Sequence, residues 1–506
     1  MTPLILDEIV PAIGAKPVGE IQPVRVTGVS TDSRTVAAGN LFFAIPGPRF
    51  DGHAFVDAAL KTACGAVVER TRWQGGHAPT GKGLLMVTDT VAALGRLAQF
   101  YRQQLSGTVI AITGSNGKTT TKSMIAHVLA GSRKGSASRK SFNNHIGVPL
   151  TLLSAEVADE YVVVEIGTSA PGEIDRLGAL VTPSVAVITG VAEAHVEQLR
   201  DVHGVAIEKA SLLKHLRRGG LAVVNIDREA LRQCVLSDED AIDAARGGKP
   251  SLLTYGTCEQ ADLRMTSWRQ DGDRLRLEIN GRIALNLPAT GRHNALNAVA
   301  AFAVARRLGM TEEQIAERFE SYTPPAMRVE RTRVGRLDII NDAYNANPGS
   351  MEAALDVLRA AGSPGRRVLV VGDMAELGDR SEYWHAWLGR QAVGMPLGLL
   401  VAIGEQAETV VSAAREALRD NGRSRRGRPK LVAYATTNEA VAEVPGLLKR
   451  DDQVLIKGSR AVALERVVEA VIQWAERAAT ESPGPSTTPK PTRKRAPART
   501  RVKASP

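Results

Sequence analysis

At 506 residues and 43% hydrophobic content, the chain is long enough for about three domains with cores of their own, which excludes disorder for most of it. A formal charge of +10 suggests a polyanion binder. Yet beyond Thr480 seven Lys or Arg stand against Glu481, so that tail carries +6 and the body is only mildly basic. Cys64, Cys234 and Cys258 are widely spaced and lack Cys-x-x-Cys pairing, as expected of reduced thiols in a cytoplasmic protein. No basic leader opens the chain and no apolar run approaches the roughly 20 residues that span a bilayer, so no transmembrane segment is expected.

Residues 1–105 read as a small mixed unit. Val24 to Arg34 alternates like a strand and ends in the polar run Ser30-Thr-Asp-Ser-Arg34, and the Asp51-Gly-His53 turn follows a second short strand. Ser33, Arg34 and His53 at these strand ends suit either a phosphorylated ligand or simple turn capping. Leu94, Leu97, Ala98, Tyr101 and Leu105 recur on one helical face leading onward.

From Ser106 to about Pro325 strands and helices alternate, as in a mostly parallel sheet. Val109 to Ile112 form a buried-type strand. Gly114-Ser115-Asn116-Gly117-Lys118-Thr119-Thr120 then opens a helix on which Met124, Ile125, Val128 and Leu129 share a face. Such a loop turns several N–H groups inward, and Lys118 reaches the outer phosphates of ATP while Thr119 offers a hydroxyl to magnesium. The spacing is shorter than the usual P-loop, because Ile112 stands where a glycine is ordinarily found.

Tyr161 to Glu165 is a second buried-type strand ending on a carboxylate, at the sheet edge where open α/β folds bind ligands, which makes Glu165 a candidate magnesium ligand. The strand Val185 to Gly190 leads to His195 and to a helix expected over Val205 to Leu216 that carries Lys209. Gly291-Arg-His-Asn294 opens a helix over Ala298 to Leu308, where Asn294 and Asn297 suit either an adenine edge or a cap. Beyond Ala326 the strands Leu337–Asn341, Arg367–Gly372, Leu399–Gly404 and Gln453–Lys457 suggest a second doubly wound sheet. It has no Gly-x-Gly-x-x-Gly to bind a dinucleotide. The tail, rich in Pro, Ser, Thr, Lys and Arg, is expected to be disordered.

Gly114 to Thr120, Asn143-Asn-His-Ile-Gly-Val-Pro149, Glu165-Ile-Gly167, Glu193-Ala-His195, Gly291-Arg-His-Asn294, Arg328 and Asp342 resemble, in order and spacing, the motifs of the Mur ligase family, which also uses the short P-loop. The resemblance runs to about residue 478. It implies an ATP-dependent amide ligase of peptidoglycan precursor synthesis in three α/β domains: a UDP-substrate domain (1–105), a central ATP-binding domain (106–325) and a C-terminal Rossmann-like domain (326–478), followed by the basic tail (479–506). Asn341 to Met351 and Val371 to Gly378 resemble the branch that joins D-alanyl-D-alanine to UDP-N-acetylmuramoyl-tripeptide.

The resemblance further implies Ser33, Arg34 and His53 near the uridine diphosphate, with Asn144, Tyr344 and Asn345 as further substrate contacts. Asn294 and Asn297 fall on the adenine side, and Arg328 and Asp342 on the phosphate and ribose side. Lys118, His195 and Lys209 would carry catalysis, with His195 and a carbamylated Lys209 at a second magnesium. A monomer without specific nucleic-acid binding is expected. The alternatives are another amide ligase of the same superfamily, either a different Mur ligase or a folylpolyglutamate synthase, against the latter of which the N-terminal unit argues, and a P-loop ATPase that binds nucleic acid through its tail.

Overall fold

The computed structural model describes residues 1–19, 23–75, 82–193, 196–236, 251–360, 365–420 and 428–480, so His195 and residues 481–506 of the tail lie outside the described residues. Among those described, three large sheets succeed one another along the chain.

The central sheet has nine strands. In spatial order they begin at Ile283, Arg274, Leu263, Ser251, Leu221, Val185, Thr108, Tyr161 and Gly135. Alternation along each strand explains why these segments read as unbroken apolar runs. Val109, Ala111, Val162 and Val164 enter the core on one face, while Ile110, Ile112, Tyr161 and Val163 enter the core on the other. After Thr108–Thr113 the chain adds strands on one side and then, from Val185, on the other. The carboxyl end of the Thr108–Thr113 strand is thus a switch point where a crevice opens. The strands from Leu263 to Leu287 turn antiparallel and extend the sheet away from that crevice.

The N-terminal unit is a five-stranded sheet with a separate two-stranded pairing. Its helix Thr90–Arg102, capped by Asp89, packs Leu94, Leu97 and Tyr101 into the same core as Leu152 and Val181 of the central unit. The apolar interior therefore does not break at residue 105.

The C-terminal sheet has six strands, parallel apart from the edge strand Glu330–Val334. Leu337–Asp342 lies directly beside Gln453–Lys457, with Asp342 opposite Lys457.

Two expected helices differ in extent. The helix expected over Val205 to Leu216 runs instead over Val202–Ala210, begun by Asp201, whose side chain accepts from the Gly204 N–H. It then tightens into a 3-10 turn, Ser211–His215, that drives Leu212 and Leu213 into the core. The helix expected over Ala298 to Leu308 begins earlier, spanning Arg292–Arg307.

Candidate functional site

The loop after Thr113 is built around two glycines that accept no substitute. Gly114 sits at φ +145°, and a Cβ there would lie 2.0 Å from the Thr189 hydroxyl oxygen. Gly117, at φ +83°, caps the helix Lys118–Leu129, and its Cβ would lie 2.4 Å from Asn297 Oδ1. Ser115 Oγ accepts from the Ala192 N–H at 3.0 Å, which ties the loop to the strand on its far side. Lys118 curls over the loop and donates to the Gly114 carbonyl at 2.7 Å. Burial holds its ammonium below the usual range, with Glu165 opposing and Arg328 adding to that effect.

Glu165, 1% exposed, stands where the strand ends. Its Oε2 accepts from the Thr119 hydroxyl at 2.9 Å and from Lys122 at 2.9 Å, and its Oε1 accepts from Asn143 at 3.0 Å. Burial alone would raise its pKa, but the charges of Lys122 and Lys118 outweigh that and hold the carboxyl below its usual range.

These groups face a cavity of about 1080 Å³ lined by all three units: Val91 and Gly95 of the first, Ser115 to Thr120 and Asn144 of the second, and Arg328, Asp342, Tyr344 and Asn345 of the third. Arg328 is held between Met327 and Val329, both in the left-handed region at φ 58° and 55°. For a β-branched valine this is a strained conformation of the kind found where a side chain must be aimed. The Arg328 guanidinium lies 4.1 Å over the Tyr344 ring, and Tyr344 in turn hydrogen-bonds Ser141 of the central unit.

Asp342 does not stand free. The register places Lys457 against it at 2.7 Å. Asn294 and Asn297 line the cavity but are also engaged within it: Asn294 donates to Thr290 O at 2.8 Å, and Asn297 donates to Asn294 Oδ1 at 3.1 Å. Neither caps the helix, whose N-cap is Gly291 without a side-chain bond. The loop residue Asn116 exchanges amide hydrogen bonds of 3.2 and 2.9 Å with Asn347 of the C-terminal unit.

Three expected substrate contacts fall elsewhere. His53 is 7% exposed, with Nδ1 2.6 Å from Asp51 Oδ1 and Nε2 accepting from the Glu69 N–H at 2.8 Å, so both ring nitrogens are used within the fold. Arg34 forks onto Asp32 at the surface, and neither it nor Ser33 lines the cavity. Lys209, 1% exposed, is packed behind the cavity wall rather than on it. Burial drives its amine well below the usual lysine range, and the charge of Lys118 adds to this.

Lys122, Lys457 and Asn347 were not anticipated. Lys122 follows Thr119 by one helical turn and Lys457 ends an otherwise apolar strand, a signal of the same kind as Glu165. Among the described residues no group of three or more His, Cys, Asp or Glu gathers as a metal cluster, and no helix is long and apolar enough to cross a membrane.

Family models match along the chain: the Mur ligase family catalytic domain over residues 25–71, the Mur ligase middle domain over 112–305 and the Mur ligase glutamate ligase domain over 327–460. The UDP-N-acetylmuramoyl-tripeptide--D-alanyl-D-alanine ligase of Bacillus subtilis is 33% identical over 452 residues, 88% of this chain and 93% of its own length. The chain belongs to the Mur ligase family. The enzyme of the same name from Escherichia coli is also 33% identical, over 90% of this chain and 96% of its own. A crystal structure of MurF from Acinetobacter baumannii superposes with a TM-score of 0.80 at 29% identity, covering 94% of this chain and 99% of that one. MurF of Thermotoga maritima in complex with ADP gives 0.75 at 27% identity, over 90% and 99%. This Mur ligase has the family's three-domain α/β architecture. A folylpolyglutamate synthase from Mycobacterium tuberculosis, at 18% identity and a TM-score of 0.55, shares the fold alone.

Proposed function

We infer that this Mur ligase joins D-alanyl-D-alanine to UDP-N-acetylmuramoyl-tripeptide at the expense of ATP, forming a C–N bond in peptidoglycan precursor synthesis. Relatives bearing that activity in their names match at 33% identity over about nine-tenths of the chain. The observation that carries the reading to the site is the single cavity in which the glycine loop, Lys118 and Glu165 face side chains of the C-terminal unit. A nucleotide-linked substrate and ATP suit work in the cytoplasm.

A carboxylate cannot expel oxide, so the terminal carboxylate of the tripeptide must be activated. A carboxylate oxygen attacks the γ-phosphorus of ATP, the bond to ADP breaks, and an acyl phosphate forms. The amine of D-alanyl-D-alanine then attacks the acyl carbon, loses its proton, and phosphate leaves. Bringing two anions to about 4 Å costs on the order of 4 kcal/mol at an effective dielectric of 20, so the chain must supply positive charge. Lys118 exchanges its loop carbonyl for phosphate oxygen, the N–H groups of residues 116–120 bind the phosphates, and Arg328 brings a guanidinium from the C-terminal unit. Asn294, Asn297 and the Asp342–Lys457 pair border the nucleoside side of the same cavity.

Thr119 and Glu165 fit magnesium: a hydroxyl and a carboxylate oxygen 2.9 Å apart are hard donors, and this ion takes few protein ligands when phosphates and water complete its shell. Bound with ATP, magnesium would neutralise phosphate charge during transfer. Lys209 is read as the carbamylated residue, because burial pushes its pKa well below the usual lysine range and the free amine is the form that adds carbon dioxide, releasing a proton and becoming an anion. Full activity of Lys209→Ala would remove that role.

The deciding assay is phosphate release from ATP with UDP-N-acetylmuramoyl-tripeptide, with and without D-alanyl-D-alanine. Release that requires both is expected. Release indifferent to muramoyl peptide, or stimulated by nucleic acid instead, would overturn the reading.

A further inference from the structure

Glu165 is held by a cation that the reaction itself does not call for. Lys122 Nζ sits 2.9 Å from Glu165 Oε2 and also donates to the Lys140 carbonyl, and the two side chains are nearly sealed from solvent, Lys122 at 5% and Glu165 at 1%. Lys122 lies on the helix that the phosphate loop opens, on the same face as Thr119. The oxygen that would meet a metal therefore already carries an ammonium. Its second acceptor is the Lys140 carbonyl.

We propose that Lys122 is a positioning residue that holds the buried Glu165 carboxylate ready and keeps free divalent cations out of the site, so that the metal enters only with the nucleotide. The argument is one of charge. A buried carboxylate with no partner is costly and binds whatever cation it meets. With Lys122 beside it, the local pair is already neutral, and an incoming dication meets a fixed ammonium across a low-dielectric gap. The phosphates of ATP restore the negative charge that makes the dication welcome. Lys122 thereby couples metal occupancy to nucleotide occupancy and keeps bare metal from sitting in an empty site.

The inference rests on Thr119 and Glu165 being the metal donors, and the test separates the two claims. Manganese(II) is titrated into the full-length protein and the free ion is read by electron paramagnetic resonance, with and without a non-hydrolysable ATP analogue, each against the same titration lacking protein. Wild type is expected to bind manganese weakly alone and tightly with the analogue. Lys122→Gln is expected to bind manganese alone about tenfold or more tighter and to lose most of the dependence on the analogue, while Lys122→Arg, which keeps the charge, stays near wild type. Should the glutamine variant fail to fold, Lys122→Met keeps the buried stem and is read in its place. Unchanged or weaker manganese binding in the folded neutral variant overturns the role of Lys122. Glu165→Gln that still binds manganese with the analogue as wild type does would instead overturn the metal reading of Glu165.

Discussion

The two junctions of the central domain are made of different material. Towards the N-terminal unit, one apolar core runs on from Leu4 through Leu94, Leu97 and Tyr101 to Val164 and Ala261. Its few polar atoms are paired: Tyr101 OH donates to Ala155 O at 2.7 Å, and Arg102 donates to Val181 O at 2.7 Å and Thr182 O at 3.0 Å. Towards the C-terminal unit no such core is shared among the described residues, since its two clusters begin at Val329 and Leu337. Contact there is polar: the Asn116–Asn347 amide pair, Ser141 on Tyr344, and Arg331 donating to Gly272 O at 2.7 Å.

Apolar burial at roughly 25 cal/mol per Å² fixes the first junction, whereas hydrogen bonds worth about 1 kcal/mol each exchange readily with water at the second. The N-terminal and central units are therefore expected to move as one body, with closure on ATP made by the C-terminal domain.

The sharpest division expected is between loss of activity and loss of stability. Lys118→Ala at the polar junction should lower turnover by about 10³-fold or more and not lower the melting temperature, because its hydrogen bonds go only to loop carbonyls and burial already disfavours its ammonium. Steady-state phosphate release and thermal denaturation check the two halves; near-normal turnover removes the loop from the mechanism. Arg102→Met at the apolar junction should do the reverse. It strands carbonyls at the end of the helix Glu173–Val181 and should cost about 3 kcal/mol of stability, with KM for ATP little changed in the folded fraction. An Arg102→Met protein as stable as wild type would show that the junction is not held as described.

How much of this was legible in the sequence follows the distance over which each feature is determined. The phosphate loop, the strand ending on Glu165 and the apolar runs of both large sheets are local patterns, and they appear where expected. The pairings of Asp342 with Lys457 and of Glu165 with Lys122 depend on which strand and helix lie side by side, which local periodicity does not encode. His53 shows the same limit. A histidine in a polar turn suits a ligand, and only the fold brings the Glu69 N–H to its ring. The helix leading out of residue 90 was plain, but that its apolar face would fuse two units into one core was not.

Lys209 tests the apolar body from within. Its folded pKa is depressed, so below the ordinary lysine value of 10.5 the unfolded chain holds a proton that the folded chain has released, and folding is penalised there. Lys209→Met should therefore raise the melting temperature by a few degrees at pH 7 in buffer stripped of carbon dioxide. That gain should shrink as pH rises towards 10.5, as followed by calorimetry. A gain independent of pH would mean that the amine is charged in the fold.

The smallest expected effect bears most directly on which junction moves. Asn347→Ala removes the amide pair with Asn116 and the cap that Asn347 Oδ1 gives the Ser350 N–H at 2.8 Å, so it should lower stability by about 1 kcal/mol. It also removes a side chain that joins the start of the helix Pro348–Ala360 to the phosphate loop. That contact is expected to belong to the closed form alone, so its loss should shift the population by the worth of the contact. KM for D-alanyl-D-alanine should then rise several-fold. Small-angle scattering with nucleotide and muramoyl peptide should show less compaction than in wild type, and the apolar junction should be unaffected. If wild type itself has the same scattering profile with and without those ligands, the polar contacts do not mark a moving interface and the contrast between the two junctions has no mechanical consequence.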